Sequence, residues 1–320
     1  MNPRTLVRRL LVAVLLGVAV YAGFVLFRGF RGIRDALSDF RWSMFALALG
    51  MTFGNYVLRF LKWEFYLRRL GILGVPKWDS FLTFLSGFVL TVTPGKVGEV
   101  FKSLVLFETH GVPGARTAPI VVAERLTDLI GIIVLVIIGS LGFPGGLVWA
   151  YLGSFAVLVA LVVISSRAIP DAIVRWMDGR GGFFGKLAPR VATAWDSLRI
   201  LVTPGALVVP TVISVTSWAL EGLSLYVILL GFRANVAPPM ALFFYATSQL
   251  AGALIPVPGG LGVTEGSLEQ QLVRLGGVPQ IAATSAMILV RIATLWFAVL
   301  LGFIALALLR RRHPKLLSGE

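Results

Sequence analysis

Apolar windows recur along the whole chain and constrain its fold more than any other feature. A helix needs about 20 apolar residues to cross a hydrocarbon core of about 30 Å. Windows of this length predict six spanning helices, near residues 10–27, 43–61, 117–139, 147–165, 206–230 and 281–309. Because 57% of the 320 residues are hydrophobic and only 14% are charged, a soluble globular domain is excluded. We predict an all-α polytopic membrane protein with a single membrane domain over residues 1–320.

Two further apolar stretches, 79–108 and 240–275, are each interrupted by a glycine-rich Pro-Gly break. The breaks read "TVTPGKVGEV" at 91–100 and "IPVPGGLGVTEGSL" at 255–268. The halves on either side are too short to span, so each stretch predicts a broken, re-entrant helical hairpin. Non-helical backbone at membrane depth is tolerated only where protein or water satisfies its N–H and C=O groups. The breaks are therefore predicted to line a hydrated space.

The charge distribution indicates an orientation. The chain carries 29 Lys and Arg against 15 Asp and Glu, a net charge of +14. The basic clusters fall on one side of the predicted spans, which indicates the cytoplasm, and we expect them to contact anionic lipid and not nucleic acid. This predicts a multi-pass protein of the cell inner membrane with both termini cytoplasmic, in which the run at 10–27 is a retained helix. Residues 28–41 are predicted as an outer interfacial helix, and residues 168–200 as a cytoplasmic interfacial segment.

Several kinds of chemistry lack their sequence signatures. There is no cysteine, and the two histidines, His110 and His313, do not have the spacing of metal ligands. Neither glycine-rich break fits the loop of a phosphate-binding ATPase or the dinucleotide fingerprint. We therefore expect no metal site, no cofactor and no enzyme activity.

An internal repeat relates the two breaks. The segment "GVPGARTAPIVVAERLTDL" at 111–129 aligns with "GVPQIAATSAMILVRIATL" at 277–295, which places Arg125 on Arg291. The same offset, 291 − 125 = 166, places Glu99 on Glu265. Two spanning helices and one hairpin separate the Arg-bearing helices, so we predict an inverted repeat with halves at 40–139 and 206–309, as in many secondary transporters.

The repeated arginines are predicted to lie near mid-bilayer, where a charge needs carboxylate, carbonyl or water partners. Glu124 and Asp128 lie one turn apart on the helix of Arg125 and can supply such partners. Such charges either mark a transport pathway or form an ion-pair cluster that holds helix to hairpin. Glu221, alone in its helix, is either a protonatable coupling group or a structural acid. Near the end of the second span, Arg59, Lys62 and Glu64 are predicted to snorkel to the interface.

The two breaks can also present backbone N–H groups and half-helix N-termini to an anion such as phosphate. Lys96 and Lys102 favour this interpretation in the first half, and close packing of glycines at a hairpin tip is the alternative. The candidate substrate-binding residues are Arg125, Arg291, Glu99, Glu265, Lys96, Gly95, Gly98, Gly259, Gly260, Gly262, Glu124, Asp128 and Glu221.

Four segments of the chain resemble a known family. They are "TPGKVGEVFKSLVL", "AERLTDLIGIIVL", "PVPGGLGVTEGSL" and "VRIATLWFAVLLGFIAL", and they are similar to the signatures of the lysylphosphatidylglycerol synthase transmembrane family, also called the flippase-like domain family. The resemblance covers roughly residues 40–309. In multiple-peptide-resistance-factor proteins, a domain of this kind is thought to move aminoacylated phospholipid across the membrane, and a separate soluble domain makes that lipid.

The resemblance implies lipid translocation and not lipid synthesis, since we find no room for a soluble synthase domain. We therefore expect a flippase or scramblase whose partners are anionic or phosphate-containing membrane lipids. An ion-coupled transporter of a small solute and a non-transporting membrane partner of a lipid-modifying enzyme are the alternatives, and a homo-oligomer is left open.

Overall fold

A computed structural model gives the fold as a bundle of helices. It describes residues 19–24, 26, 29–93, 99–140, 168–180, 182–255, 257–314 and 316, together with isolated positions between 151 and 162. These residues contain helices and turns but no β-strand. The prediction of an all-α protein is confirmed.

Twelve helices of eight or more residues are numbered here in chain order. They are α1 Phe30–Ser38, α2 Trp42–Arg69, α3 Lys77–Ser86, α4 Phe101–His110, α5 Gly114–Ser140, α6 Ala168–Arg180, α7 Gly182–Leu201, α8 Pro204–Gly231, α9 Pro238–Leu254, α10 Val263–Arg274, α11 Gln280–Arg291 and α12 Phe297–Arg312. Short 3₁₀ turns lie at Gly87–Leu90 and Pro258–Gly260. A π-helical turn, Ile292–Trp296, joins α11 to α12 as one continuous helix.

Three described helices are long and apolar enough to cross a membrane. They are α2, α8 and the continuous helix Gln280–Arg312. The 28 residues of α2 and of α8 rise about 42 Å at 1.5 Å per residue, enough for the hydrocarbon core. These helices contain the spans predicted at 43–61, 206–230 and 281–309.

The other three predicted spans, and with them the total of six, are not confirmed. The window at 117–139 falls in the 27-residue helix α5, where Glu124, Arg125 and Asp128 bring three charges into the apolar sequence. The window at 147–165 and most of the window at 10–27 lie outside the described residues. At 28–41 the chain forms the short helix α1, in which Ile33 is buried.

The spanning helices expose apolar side chains and bury polar ones, the reverse of a soluble helix. On α2, Phe53 and Leu61 are exposed, whereas Asn55, Arg59 and Lys62 are buried. A continuous apolar surface of this kind is typical of a lipid-facing helix. Helices α2 and α8 pack along each other, and α5 packs on α8, so the buried polar side chains lie inside the bundle.

The second Pro-Gly break separates α9 from α10 as predicted. Gly259, Gly260 and Gly262 adopt φ of 62°, 69° and 85°, a left-handed conformation that favours glycine. A Cβ at Gly252 would lie 2.0 Å from Thr264 Oγ1, so α9 and α10 approach closely. In the first break, α3 and its 3₁₀ turn precede α4, and residues 94–98 lie outside the described residues.

The flanks of the two breaks touch each other. A Cβ at Gly259 would lie 3.0 Å from Val92 Cγ1. Val92 and Leu261 also share a small buried apolar cluster with Leu295 and Val299. The two interrupted stretches therefore meet in the interior.

The order of the elements follows the sequence repeat. Each half has a 28-residue helix, a helix pair divided by a break, and a helix carrying the repeated arginine. The glycines of the two Gly-Val-Pro segments, Gly111 and Gly277, both adopt a left-handed conformation, with φ of 67° and 63°. Equivalent positions of the repeat therefore have equivalent backbone geometry here.

Candidate functional site

Arg125, on α5, forms an ion pair with Glu99, the glutamate that the internal repeat aligns with Glu265. Its Nη2 donates to Glu99 Oε2 at 2.5 Å, and its Nη1 lies 3.6 Å from Asp128 Oδ2. Glu99 also accepts a hydrogen bond from Thr91 Oγ1 at 3.2 Å. Among the described residues, Nε of Arg125 has no hydrogen-bond partner, and the side chain remains 27% exposed. The unpartnered Nε is itself buried, so the exposed part of the side chain consists of its other atoms.

Asp128 is the centre of a buried ion network. Lys62 Nζ lies 2.6 Å from its Oδ1, and Arg59 Nη2 lies 3.3 Å from its Oδ2. Ser214, on α8, donates to Oδ1 at 3.0 Å and accepts from Lys62 at 2.7 Å. With Arg125, three cations surround this one carboxylate.

The prediction that Arg59, Lys62 and Glu64 snorkel to the interface is wrong. Arg59 is 7% exposed and Lys62 is 0% exposed, while Glu64 is buried and accepts hydrogen bonds from Lys77 and Ser80. The reason is the length of α2, which continues to Arg69 and so places Lys62 about two turns before its end. A side chain so far from the helix end, facing α5 and α8, finds its partners inside the bundle.

The network around Asp128 has an excess of positive charge. Arg59, Lys62 and Arg125 provide three cations, and Asp128 and Glu99 provide two carboxylates. The difference, 3 − 2, is one positive charge. This count covers the ion-paired groups only, and Glu221, which lines the smaller cavity together with Arg59, would offset the excess when it is ionised.

Glu124 forms a separate pair, with Lys102 of α4. Lys102 Nζ lies 2.5 Å from Glu124 Oε2, and the two side chains are 3% and 2% exposed. The ammonium also lies 4.7 Å from the centre of the Trp63 ring, a cation–π distance. Both Glu124 and Lys102 are thus enclosed between α4 and α5, where they join the hairpin to the helix.

Arg291 forms the corresponding arginine–glutamate pair in the second half, and both side chains of the pair are buried. Its Nε donates to Glu265 Oε1 at 2.6 Å, and its Nη2 donates to the carbonyl oxygen of Gly259 at 2.9 Å. Glu265 also accepts from Tyr21 at 3.3 Å and from the backbone N–H of Gly262 at 2.7 Å. The side chains of Arg291 and Glu265 are 3% and 0% exposed. This pair ties the second break to α11.

Glu221, on α8, lies between neutral hydrogen-bond donors. Asn55 Nδ2 donates to its Oε1, and Tyr245 Oη donates to its Oε2 at 2.6 Å. Gln249 Nε2 in turn donates to Tyr245 Oη at 2.8 Å. The carboxyl group is buried, and it forms no ion pair within the part of the chain that the structure describes.

A cavity of about 300 Å³ brings several of these groups together. Its polar lining comes from Thr93, Arg125, Asp128, Gln249 and Thr264, and its apolar lining includes Leu129, Ile132, Trp218, Leu250 and Val257. A smaller cavity of about 40 Å³ is lined by Arg59, Glu221, Tyr245 and Arg291. Gln249 and Gly259 line both cavities, so the two spaces are neighbours.

The candidate residues therefore divide into groups. Arg125, Asp128, Gly259 and Gly260 line the larger cavity, and Glu221 and Arg291 line the smaller one. Glu99, Glu265 and Gly262 support the two arginine pairs. Glu124 faces Lys102 instead of a cavity. Gly95, Lys96 and Gly98 lie outside the described residues.

Sequence reasoning missed four polar residues of the site: Asn55, Ser214, Tyr245 and Gln249. All four carry no charge and fall in apolar helices without a motif. One signal was present, because Asn55, Arg59 and Lys62 recur at spacings of four and three and so share a helix face. A polar stripe on an otherwise apolar helix indicates a face that points into the bundle.

The two histidines also lie closer in space than the sequence indicated. The rings of His110 and His313 have centroids 5.5 Å apart, and both contact Asp79. Their spacing along the chain gave no sign of this, yet ligand-type atoms of Asp79, His110 and His313 lie within 4.8 Å of one another. Burial lowers the pKa of His110, with His313 acting in the same direction and Asp79 opposing it.

The described helices include three that are apolar enough to cross a membrane. The bundle encloses a charged network beside a part-polar cavity. These features define a polytopic membrane protein with an internal polar site. The profile of the family described as "Lysylphosphatidylglycerol synthase TM region" matches residues 14–302. The chain belongs to this family.

Relatives of known sequence agree with this assignment. The chain is 24% identical to a UPF0104 membrane protein of Methanothermobacter thermautotrophicus, with 90% of each chain covered. A second UPF0104 membrane protein of that organism is 25% identical, covering 92% of this chain and 94% of the relative. A UPF0104 membrane protein of Methanocaldococcus jannaschii is 24% identical, covering 71% of this chain and 98% of the relative.

Proposed function

We propose that the protein is a lipid flippase or scramblase, without enzyme activity of its own, that moves a phosphate-containing lipid across the cytoplasmic membrane. The observation that carries the proposal is the position of Arg125. This arginine borders the cavity, and its side chain remains part-exposed. Its family, which includes lysylphosphatidylglycerol synthase membrane regions, supports a lipid as cargo.

The head group would bind in the larger cavity. An arginine fork matches the oxygens of a phosphate better than a point charge does. Gln249 and Thr264 line the same space and can donate hydrogen bonds to a polar head group. The excess positive charge of the network around Asp128 would be compensated by the phosphate anion.

The lipid tails would remain in the bilayer. Leu129, Trp218 and Leu250 also line the cavity and give it apolar surface in addition to the polar lining. A volume of about 300 Å³ lies at the lower end for sites of small ligands. It suits a head group but not two acyl chains.

The finer architecture belongs to the same proposal. We take the broken stretches as re-entrant hairpins in an inverted repeat, 40–139 and 206–309, within a fold of six spans whose termini are cytoplasmic. The support is the matching order of helices, and the separation of 26 residues in both arginine–glutamate pairs. Backbone N–H groups at the breaks would assist the arginines. Residues 168–200 would lie on the cytoplasmic interface.

A second candidate function is ion-coupled transport of a small solute. Glu221 favours it, because a buried carboxyl group held by neutral donors beside a small cavity can exchange a proton. Uptake of soluble solutes by proteoliposomes, without lipid movement, would select this alternative.

The test uses purified protein in liposomes containing a fluorescent phosphatidylglycerol, with quenching of the outer leaflet as the measure of movement. Arg125→Gln is expected to slow lipid movement about 10- to 100-fold, because it removes one charged hydrogen-bonding contact to the phosphate. Arg125→Lys should restore part of the rate. Arg116→Gln is the matched control, because Arg116 lies on the same helix and donates to the carbonyl oxygen of Leu70. A folded Arg125→Gln protein that moves lipid at the wild-type rate would contradict the proposal.

A further inference from the structure

Three side chains of metal-ligand type converge where α3, α4 and the end of α12 meet. Asp79 Oδ2 lies 3.1 Å from His313 Nε2 and 3.6 Å from His110 Nε2. One ligand atom from each of the three residues lies within 4.8 Å of the others. The chain has two histidines in 320 residues, and both reach this point from distant parts of the sequence.

The hydrogen bonds around His110 fix its tautomer. Thr109 Oγ1 donates its hydroxyl proton to the carbonyl oxygen of Val105 at 2.7 Å. The 2.8 Å contact between His110 Nδ1 and Thr109 Oγ1 therefore has the imidazole as donor. In the neutral ring, Nε2 then has a lone pair and no proton. This Nε2 lies 3.6 Å from Asp79 Oδ2, a separation at which one cation can contact both atoms.

Asp79 is oriented in a matching way. Arg312 Nε donates to its Oδ1 at 2.7 Å, which leaves Oδ2 directed toward the two imidazoles. A hydrogen bond that holds a ligand from behind is the usual support of a metal-binding side chain. Asp79 is 4% exposed, so its orientation is determined by these contacts and by packing. The positive charge of Arg312 opposes a cation, but its side chain is 51% exposed and is screened by solvent.

We propose that Asp79, His110 and His313 form a binding site for a divalent cation of the zinc class. Two imidazole nitrogens and one carboxylate oxygen are ligands that Zn²⁺ accepts. Zn–ligand bonds of about 2.0–2.2 Å at tetrahedral angles separate neighbouring ligand atoms by about 3.3–3.6 Å. The separations of 3.1 Å and 3.6 Å from Asp79 are close to that geometry, and the two histidine ligand atoms lie within 4.8 Å of each other. His313 would bind as the tautomer protonated at Nδ1.

The site would tie the end of the last helix to both helices of the first broken stretch. Asp79 lies near the start of α3, His110 is the last residue of α4, and His313 follows α12. Three protein ligands leave one tetrahedral position for water or an anion. The nearby Arg310, Arg311 and Lys77 place the site at the basic, predicted cytoplasmic end of the bundle.

The test measures zinc binding by the full chain in detergent, purified with an affinity tag that contains no histidine. We expect one tightly held Zn²⁺ per chain after desalting, by elemental analysis and by competition with a chromophoric chelator. His110→Gln and His313→Gln should each weaken binding more than the 10- to 100-fold that follows loss of an outer-shell partner. Zn²⁺ should raise the unfolding temperature of the wild type and not of these variants, and Mg²⁺ should have no such effect.

Arg311→Gln is the control, because it removes an exposed charge beside Arg312 without removing a ligand. It should bind zinc as the wild type does. Co²⁺ gives a second reading, since a tetrahedral site shows intense visible absorption that both histidine variants should lose. Zinc binding by the histidine variants within about threefold of the wild type, or displacement of Zn²⁺ by equal Mg²⁺, would overturn the proposal. The histidines lie at helix ends, so both variants are expected to fold.

Discussion

The two arginine–glutamate pairs have the same spacing and different surroundings. In each pair 26 residues separate the arginine from the glutamate. The side chain of Arg125 is 27% exposed beside a cavity, whereas that of Arg291 is 3% exposed. Arg291 uses its donors on Glu265 and on the backbone of Gly259, while Nε of Arg125 has no partner among the described residues. The two pairs thus share one spacing but differ in burial and in their hydrogen-bond partners.

The difference arises from charges that only the first half contains. At the offset of 166, Asp128 corresponds to Thr294, Glu124 to Val290 and Lys102 to Leu268. The second half therefore has an isolated pair where the first half has a network of several charges. An isolated buried pair needs both partners fixed, because either charge alone would be uncompensated. Under the proposed function, the head group would therefore bind beside the network of the first half.

The largest expected effect is on stability, in the second half. Arg291→Gln removes the cation from Glu265, which is 0% exposed, and should destabilise the protein by about 3–5 kcal/mol, as broken buried pairs do. The double variant Arg291→Gln with Glu265→Gln should recover much of that loss. Unfolding in mixed detergent micelles measures both. If Arg291→Gln were as stable as the wild type and still inactive, the two arginines would be functional equals and the comparison would fail.

Replacement of Arg125 in the first half should reduce lipid transport more than it reduces the stability of the fold. In Arg125→Gln, Asp128 keeps Arg59 and Lys62, and Glu99 keeps Thr91. We expect a folded protein whose lipid movement falls about 10- to 100-fold, equivalent to 1.4–2.7 kcal/mol. The double variant Arg125→Gln with Glu99→Gln separates the two roles. It should remain inactive if Arg125 contacts the phosphate, whereas recovery of movement would show that Arg125 only neutralises Glu99.

A smaller effect is expected where the two breaks touch. Gly259→Ala introduces a side chain at φ 62° with its Cβ 3.0 Å from Val92 Cγ1, which should cost about 1–2 kcal/mol from the left-handed conformation alone. Gly266→Ala is the matched control, because nothing lies within 4 Å of the added Cβ in helix α10. The control should stabilise the helix by about 0.5–1 kcal/mol. Equal behaviour of the two variants in thermal unfolding would argue against a constrained contact between the breaks.

The sequence predicted those parts of the fold and site that depend on local pattern. The long helices α2, α8 and Gln280–Arg312 follow from apolar length, and the proximity of Arg125 to Asp128 follows from their spacing of three on one helix. The breaks follow from glycine and proline. Each of these depends on residues close together in the chain.

The remaining features depend on which distant surfaces pack together. Burial of Arg59 and Lys62 requires knowing that α2 extends to Arg69 and that its polar face meets Asp128. The convergence of His110 and His313 requires the end of α12 to lie beside α4. The asymmetry between Arg125 and Arg291 depends on neighbours that the repeat does not share. A single sequence contains no direct record of such contacts.

The smallest expected change in stability concerns Glu221, which contacts Asn55 in the first half and Tyr245 in the second. Glu221→Gln keeps a hydrogen-bonding group beside Asn55 and Tyr245, so we expect a folded protein that loses no more than about 1 kcal/mol. If Glu221 takes up a proton during transport, the variant cannot do so, and the dependence of lipid movement on pH should flatten. Measuring movement from pH 5 to pH 9 beside unfolding temperature separates the two roles. Thr216→Val, at an exposed position of the same helix, is the control and should keep the wild-type profile. An unchanged pH profile in Glu221→Gln would show that Glu221 is a structural acid that holds α2 and α9 to α8. Any coupling of transport to protons would then have to involve the network around Asp128.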